Sequence, residues 1–284
     1  MAGDRQRTGP VAVFDSGVGG LTVLHELLVS LPHEDFVYFG DTARFPYGDR
    51  TPDQLRAFAL EIADHLVALG AKALVVACNS ATSAALTDLE TTYGRHLPLV
   101  TVVRPESRLA AATTKNSRIG LLATSATVAS GAYERALADV APKAELHSVA
   151  CPELTPLIQG GLEIDDHIVE LVDEYCAPLN AEDVDTVILG CTHYPLVRPI
   201  IQRALGRGTT LVSSGEAIAE DLAAHLAEAG LANDPDRRGS YRFLCSGDTS
   251  AFARLATRFL QLPIGDVQQV DVATAVRARR GVAA

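Results

Sequence analysis

Short apolar runs recur along this 284-residue chain, separated by longer stretches in which apolar and polar positions alternate with helical spacing. The runs VAVFD (11–15), DFVYFG (35–40), ALVVA (73–77), LVTVV (99–103), RIGLLA (118–123), TVILG (186–190) and TLVSS (210–214) predict seven strands. Most are continuously apolar, the pattern of strands covered by helices on both faces. The clearest helix is TPDQLRAFALEIADHLVALG (51–70). Thr51 caps it, Pro52 suits its first turn, Gln54 completes a capping box and Gly70 ends it. This alternation implies an α/β class with doubly wound parallel sheets, and ligands gathered at the carboxyl ends of the strands.

The pattern also repeats. KALVVACNSAT (72–82) and DTVILGCTHYP (185–195) each run from an apolar strand through a small residue to a cysteine, a polar residue and an expected helix. Upstream of each lies a strand with a small-residue turn, VAVFDSGVGG (11–20) and IGLLATSATV (119–128). Asp15 precedes Cys78 by 63 residues, and Thr124 precedes Cys191 by 67. Two similar α/β halves, each offering one strand-end cysteine, would face those cysteines across one cleft.

Composition narrows the chemistry. Hydrophobic residues make up 48% of the chain, normal for a globular protein of one large or two ordinary domains. No apolar run reaches a membrane span, and MAGDRQRTGP lacks the apolar stretch of a signal peptide, so a short leader on a cytoplasmic protein is expected. The formal net charge of −11 argues against nucleic acid or an anionic membrane as partner. An anionic substrate must then be held by local donors. The five cysteines, Cys78, Cys151, Cys176, Cys191 and Cys245, are odd in number with no CxxC spacing, which favours reduced thiols over a disulfide framework or structural zinc. The only lysines, Lys72, Lys115 and Lys143, lie in no phosphate-binding context, which disfavours a pyridoxal Schiff base.

Each motif has a plain alternative. In FDSGVGGLTV, Gly17, Gly19 and Gly20 suit either an anion-binding nest or an ordinary strand-to-helix turn capped by Asp15 or Ser16. It is neither a dinucleotide fingerprint nor a P-loop. Cys78, in ACNSAT, stands where a helix N-terminus would lower its pKa, and Cys191, in GCTHYPL, has the same setting with Thr192 and His193 beside it. Taken alone, either cysteine reads better as a buried packing residue. As a matched pair in a duplicated frame they point to paired reactive thiols. GDTARFPYG (40–48) is a pocket wall or a connecting loop, and Cys151, Cys176 and Cys245 read as packing residues.

Together FDSGVGGLTV, DTARFPYG, VACNSAT, ATSATV and GCTHYPL, with a weaker continuation in YRFLCSGD, resemble glutamate racemase of the aspartate/glutamate racemase superfamily, in order and over nearly the whole chain. The resemblance implies two α/β domains, the first formed by 1–100 and 210–284 and the second by 101–209, with the active site in the cleft between them. It implies a cofactor-independent isomerase, without metal, that interconverts L- and D-glutamate for peptidoglycan synthesis and forms a homodimer. Cys78 would be the base toward the D-enantiomer and Cys191 toward the L-enantiomer. Asp15, His193 and Asp41 would handle protons or support the thiols. Asp15, Ser16, Pro46, Tyr47, Gly48, Asn79, Ser80, Thr124, Thr127, Thr192 and His193 would bind substrate. The chain departs from the family at Gln159, which stands in CPELTPLIQG where many members carry a glutamate.

The residues fit that chemistry. Racemisation takes a proton from one face of Cα and returns one to the other, which suits two thiols, one entering as thiolate and one as thiol. Without an electron sink, the carbanion-like transition state needs preorganised donors around the carboxylate. The Asp-Ser-Gly turn and the Asn-Ser and Thr-His pairs offer them. Alternatives are a racemase or decarboxylase for another acid, a small-molecule binding protein on a doubly wound fold, and an inert partner-binding chain. Two cysteines disfavour a one-thiol decarboxylase, and only an enzyme needs both thiols reactive.

Overall fold

A computed structural model describes residues 8–160, 166–213 and 215–272. The strands are β1 (Val11–Asp15), β2 (Phe36–Gly40), β3 (Ala73–Val76), β4 (Leu99–Thr101), β5 (Arg118–Ala123), β6 (Glu145–Ala150), β7 (Thr186–Gly190), β8 (Thr210–Val212), β9 (Tyr241–Cys245) and β10 (Val267–Gln269). The α-helices are α1 (Leu21–Ser30), α2 (Pro52–Ala68), α3 (Asn79–Tyr93), α4 (Val103–Thr113), α5 (Ser125–Ala129), α6 (Ala132–Val140), α7 (Leu154–Gln159), α8 (Asp166–Ala181), α9 (Arg198–Leu205), α10 (Gly215–Glu228) and α11 (Thr249–Leu260). No helix among the described residues is long and apolar enough to cross a membrane.

The strands form two parallel sheets, ordered β10-β9-β2-β1-β3-β4 and β6-β5-β7-β8. The duplication is visible in that order. Within the first sheet, β2-β1-β3-β4 repeats the β6-β5-β7-β8 of the second, and β9 and β10 extend one edge. In each half the chain reverses direction of travel across the sheet between two central neighbours, β1 and β3 or β5 and β7. Such a switch point leaves a crevice beyond the strand ends.

The expected strands are present, with shorter ends. Residue 103 already begins α4, so the run 99–103 yields only Leu99–Thr101. The run 210–214 yields Thr210–Val212, and residue 214 lies outside the described residues. This strand pairs with β7 in the second sheet, although a boundary at 210 would assign it to the first unit. Strand pairing, which overrides chain position, decides its membership. Sequence reading omitted β6, β9 and β10. ELHSVA (145–150) mixes polar with apolar residues because it is a half-buried edge strand, the counterpart of β2, and VQQ (267–269) is another edge.

Burial follows the pleat. Val11 and Val13 join an apolar core shared with α1 and continuous into the second unit, while Ala12 and Phe14 join the core under α2 and α3. α2 carries its capping box: the Thr51 hydroxyl accepts the Gln54 amide at 3.3 Å, and Gln54 Oε1 accepts the Thr51 amide at 3.1 Å. A buried ion pair, Lys72 Nζ to Glu34 Oε2 at 2.6 Å, secures the return of the chain to the first sheet. Lys72 also donates to the Leu231 carbonyl at 2.7 Å, and Glu34 accepts the Asn233 amide at 2.8 Å.

Candidate active site

Register brings the motif residues together. Phe14 pairs with Val76 across β1 and β3, so Asp15, Ser16 and Cys78 emerge side by side. Ala123 pairs with Gly190 across β5 and β7, so Thr124 and Cys191 emerge side by side. One small cavity lies between the two sets. Ser16, Tyr47, Gly48, Cys78, Asn79, Ser80, Thr124, Thr155, Gly190, Cys191, Thr192 and His193 line it.

Cys78 is the N-cap of α3, and its Sγ accepts the Ala81 amide at 3.5 Å. That setting favours a thiolate. Burial outweighs it, and together with the neighbouring Asp15 carboxylate it pushes the Cys78 thiol well above the ordinary range, opposite to the lowering expected from the helix end. Asp15 is itself buried, and burial raises its carboxyl although Oδ2 accepts the Gly17 amide at 3.0 Å.

Cys191 differs from Cys78. A 3-10 turn, Tyr194–Val197, follows it instead of an α-helix, so the expected matching helix end is absent there. Side chains take over. Thr155 Oγ1 lies 3.3 Å from its Sγ and His193 Nδ1 lies 3.7 Å away. Burial pushes this thiol up to about 12. The same burial holds His193 down at about 3, a neutral imidazole. His193 Nε2 lies 2.9 Å from Gln159 Oε1, which also accepts the Val18 amide at 3.4 Å. An atom approached by a backbone N–H is the amide oxygen, so Nε2 carries the imidazole proton. Nδ1 is then an acceptor, facing Cys191 Sγ and, at 3.4 Å, Thr192 Oγ1.

The glycine turn between β1 and α1 proves to be a surface of close approach. A Cβ on Gly19 would stand 2.3 Å from His193 Nδ1 and 2.4 Å from Thr192 Oγ1. A Cβ on Gly17 would stand 2.3 Å from Gln159 Oε1. These glycines let the first unit's turn pack on the second unit's site loops. Thr192 Oγ1 donates to Asp15 Oδ1 at 3.4 Å, and Thr22 Oγ1 donates to the Thr192 carbonyl at 3.1 Å along the same seam.

The remaining expected residues fall into two groups. Where the two units adjoin, Ser80 Oγ lies 2.8 Å from Thr124 Oγ1 and 3.3 Å from Thr127 Oγ1, and the Ala126 amide donates to the Gly48 carbonyl at 3.1 Å. Behind the wall, Asp41 accepts from the Tyr47 hydroxyl, from Arg44 Nε at 2.6 Å and from Ser246 Oγ at 2.7 Å. Those bonds anchor the loop that carries Tyr47, and none of them reaches a thiol. Pro46 is half-buried in that loop and does not line the cavity, while its neighbour Phe45 places a ring 5.8 Å from that of His193. Thr155, Glu106 and Tyr133 were missed. Glu106 was detectable, as an acid among Val103, Ser107 and Ala110 on the buried face of α4.

Known proteins share this sequence and fold. Residues 23–222 match the family model for Asp/Glu/Hydantoin racemase. The chain is 48% identical over 268 residues to the glutamate racemase of Beutenbergia cavernae, covering 91% of each protein. Its fold is similar to that of a glutamate racemase isoform of Bacillus anthracis, with a TM-score of 0.88 at 38% identity over 93% of this chain and 98% of the other. It is also similar to the glutamate racemase of Francisella tularensis solved in complex with D-glutamate, with a TM-score of 0.87 at 29% identity over 94% and 99%. By this agreement of sequence and fold the chain belongs to the Asp/Glu/Hydantoin racemase family and is a racemase, an isomerase.

Proposed function

We propose that this protein interconverts L- and D-glutamate without a cofactor, using Cys78 and Cys191 as paired bases, and so supplies D-glutamate for peptidoglycan synthesis. The observation that carries the reading is that two cysteines at equivalent strand ends of a duplicated fold line one cavity. Glutamate as substrate is supported by the relatives and by the Francisella tularensis complex.

In the reaction, the Cys78 thiolate takes the α-proton of D-glutamate. The electron pair is left on Cα and spreads into the carboxylate. The Cys191 thiol then protonates the opposite face, giving L-glutamate, a Cys78 thiol and a Cys191 thiolate. The reverse direction exchanges the roles, so no net proton is consumed.

Burial raises both thiols and so favours their protonated form. The reactive thiolate therefore arises with substrate bound, when an ammonium offsets the repulsion between Asp15 and Cys78. Asp15 beside Cys78 and Nδ1 of His193 beside Cys191 are the proton acceptors for that step. The hydroxyls of Ser80, Thr124 and Thr192 supply donors for the substrate carboxylates. Glutamate should be greatly preferred over aspartate, because a misplaced distal carboxylate leaves buried donors unpaired.

The test is deuterium incorporation at Cα of L- and D-glutamate in D2O, followed by NMR without added cofactor. Exchange and inversion of both enantiomers is the expected result. Failure to exchange either, or loss of activity to a chelator restored by a metal, overturns the reading.

A further inference from the structure

Beneath the cavity, three buried side chains from different parts of the fold meet at one point. Asn79 belongs to α3 of the first unit, Tyr133 to α6 of the second, and Glu106 to α4, the helix leading from one sheet to the other. Asn79 Nδ2 donates to Glu106 Oε2 at 3.1 Å and to the Tyr133 oxygen at 2.7 Å. The Tyr133 hydroxyl donates to the same Glu106 oxygen. Asn79 is 3% exposed, Glu106 1% and Tyr133 fully covered.

Two acceptors on one side of an amide fix its orientation. The nitrogen must face Glu106 and Tyr133, and the Asn79 carbonyl must face away from them. Turning the amide over would set a carbonyl oxygen against a carboxylate, with the nitrogen left without these acceptors. Asn79 follows Cys78 directly and lines the cavity with it. Any small rotation of its amide therefore moves polar atoms at the reacting centre. Glu106 also lies close enough for its charge to help raise the Cys191 thiol, so the trio stands between the surroundings of both cysteines.

We propose that Glu106 and Tyr133 are positioning residues that lock the Asn79 amide for substrate, a lock assembled only when the two units meet. The inference rests on the racemase reading above. It adds two residues with no expected part in catalysis, acting through a third. The network also makes the polarity of Asn79 depend on both halves of the fold, since neither half alone holds all three groups.

The experiment is a double-mutant cycle on glutamate racemisation with Tyr133→Phe, Asn79→Ala and the pair. Tyr133→Phe should lower kcat/KM by about tenfold to a hundredfold, the scale of a lost hydrogen bond in a buried charged network. In the Asn79→Ala background the same change should have little further effect, because the group it positions is gone. A merely structural tyrosine would give effects that multiply. Glu106→Gln, which keeps an acceptor oxygen, should retain more activity than Glu106→Leu, and serves as the second route if Tyr133→Phe fails to fold. Multiplying effects, no effect of Tyr133→Phe, or equal losses in the two Glu106 variants would overturn the inference while leaving an active wild type and its racemase reading intact. A wild type that neither exchanges nor inverts glutamate overturns both.

Discussion

The imidazole of His193 meets the side-chain oxygen of Gln159 at 2.9 Å through Nε2, leaving Nδ1 turned toward Cys191. An amide at this point keeps the imidazole neutral and fixes its tautomer without adding charge. Gln159→Glu would put a carboxylate against Nε2–H and favour the imidazolium, so the activity profile should gain a limb on its acid side. Gln159→Leu would release the tautomer. With substrate analogues bearing a β-leaving group, elimination from the L-analogue, which uses Cys191, should fall about tenfold. Elimination from the D-analogue should change little. Equal losses on both analogues would show that Gln159 supports the fold and not the Cys191 face.

Replacing Cys78 or Cys191 by Ser should abolish racemisation in both directions, since the base in one direction is the acid in the other. Serine is a far weaker base than thiolate at neutral pH and should not restore turnover. Each variant keeps one thiol. The Cys191 variant should still eliminate from the D-analogue and the Cys78 variant from the L-analogue. Near wild-type racemisation by either variant would end the two-thiol mechanism, and a shared enantiomer preference in elimination would reverse the facial assignment.

Gly19→Ala tests the close approach of the two units. The added methyl would stand 2.3 Å from His193 Nδ1, and the fold can relieve this by moving the imidazole away from Cys191. A displacement of this size costs on the order of 100-fold in rate. The variant should stay folded by circular dichroism while losing activity on that scale. Full activity in Gly19→Ala would mean that His193 is not held where the reaction needs it.

Acid should destabilise the protein in part through His193. The ordinary value of 6.5 applies to the unfolded chain, while burial holds the folded imidazole at about 3. Between those values the unfolded chain binds a proton that the folded chain does not. The stability due to this group is thus complete above pH 6.5 and is lost as pH falls toward 3. Asp15 acts in the opposite sense, because its folded carboxyl is raised and favours the folded state more as pH falls. His193→Asn should flatten the denaturant midpoint between pH 6 and pH 4, roughly the middle of that window. An unchanged slope would place the acid sensitivity elsewhere.

Much of this protein is legible in one dimension. Buried parallel strands need continuous apolar runs, so β1, β3, β5 and β7 are visible as such. The capping box of α2 is a local hydrogen-bond pattern, fixed by Thr51 and Gln54 alone. The duplicated strand–cysteine frame was legible because each half repeats its own local chemistry. The edge strands β6 and β10 were not, since they take their place from a neighbour and not from their own composition, whereas the apolar edges β4 and β8 were.

What only the tertiary structure decided concerns contacts between distant segments. Thr155 meets Cys191 and Gln159 meets His193 because the loops after β6 and β7 converge within the second unit, and Gly19 meets Thr192 because the first unit's turn packs on those loops. The charge state of the thiols was decided there too. A helix end, readable in sequence, favours a thiolate at Cys78, but burial and Asp15 reverse the sign, and both depend on what surrounds the sulfur in three dimensions.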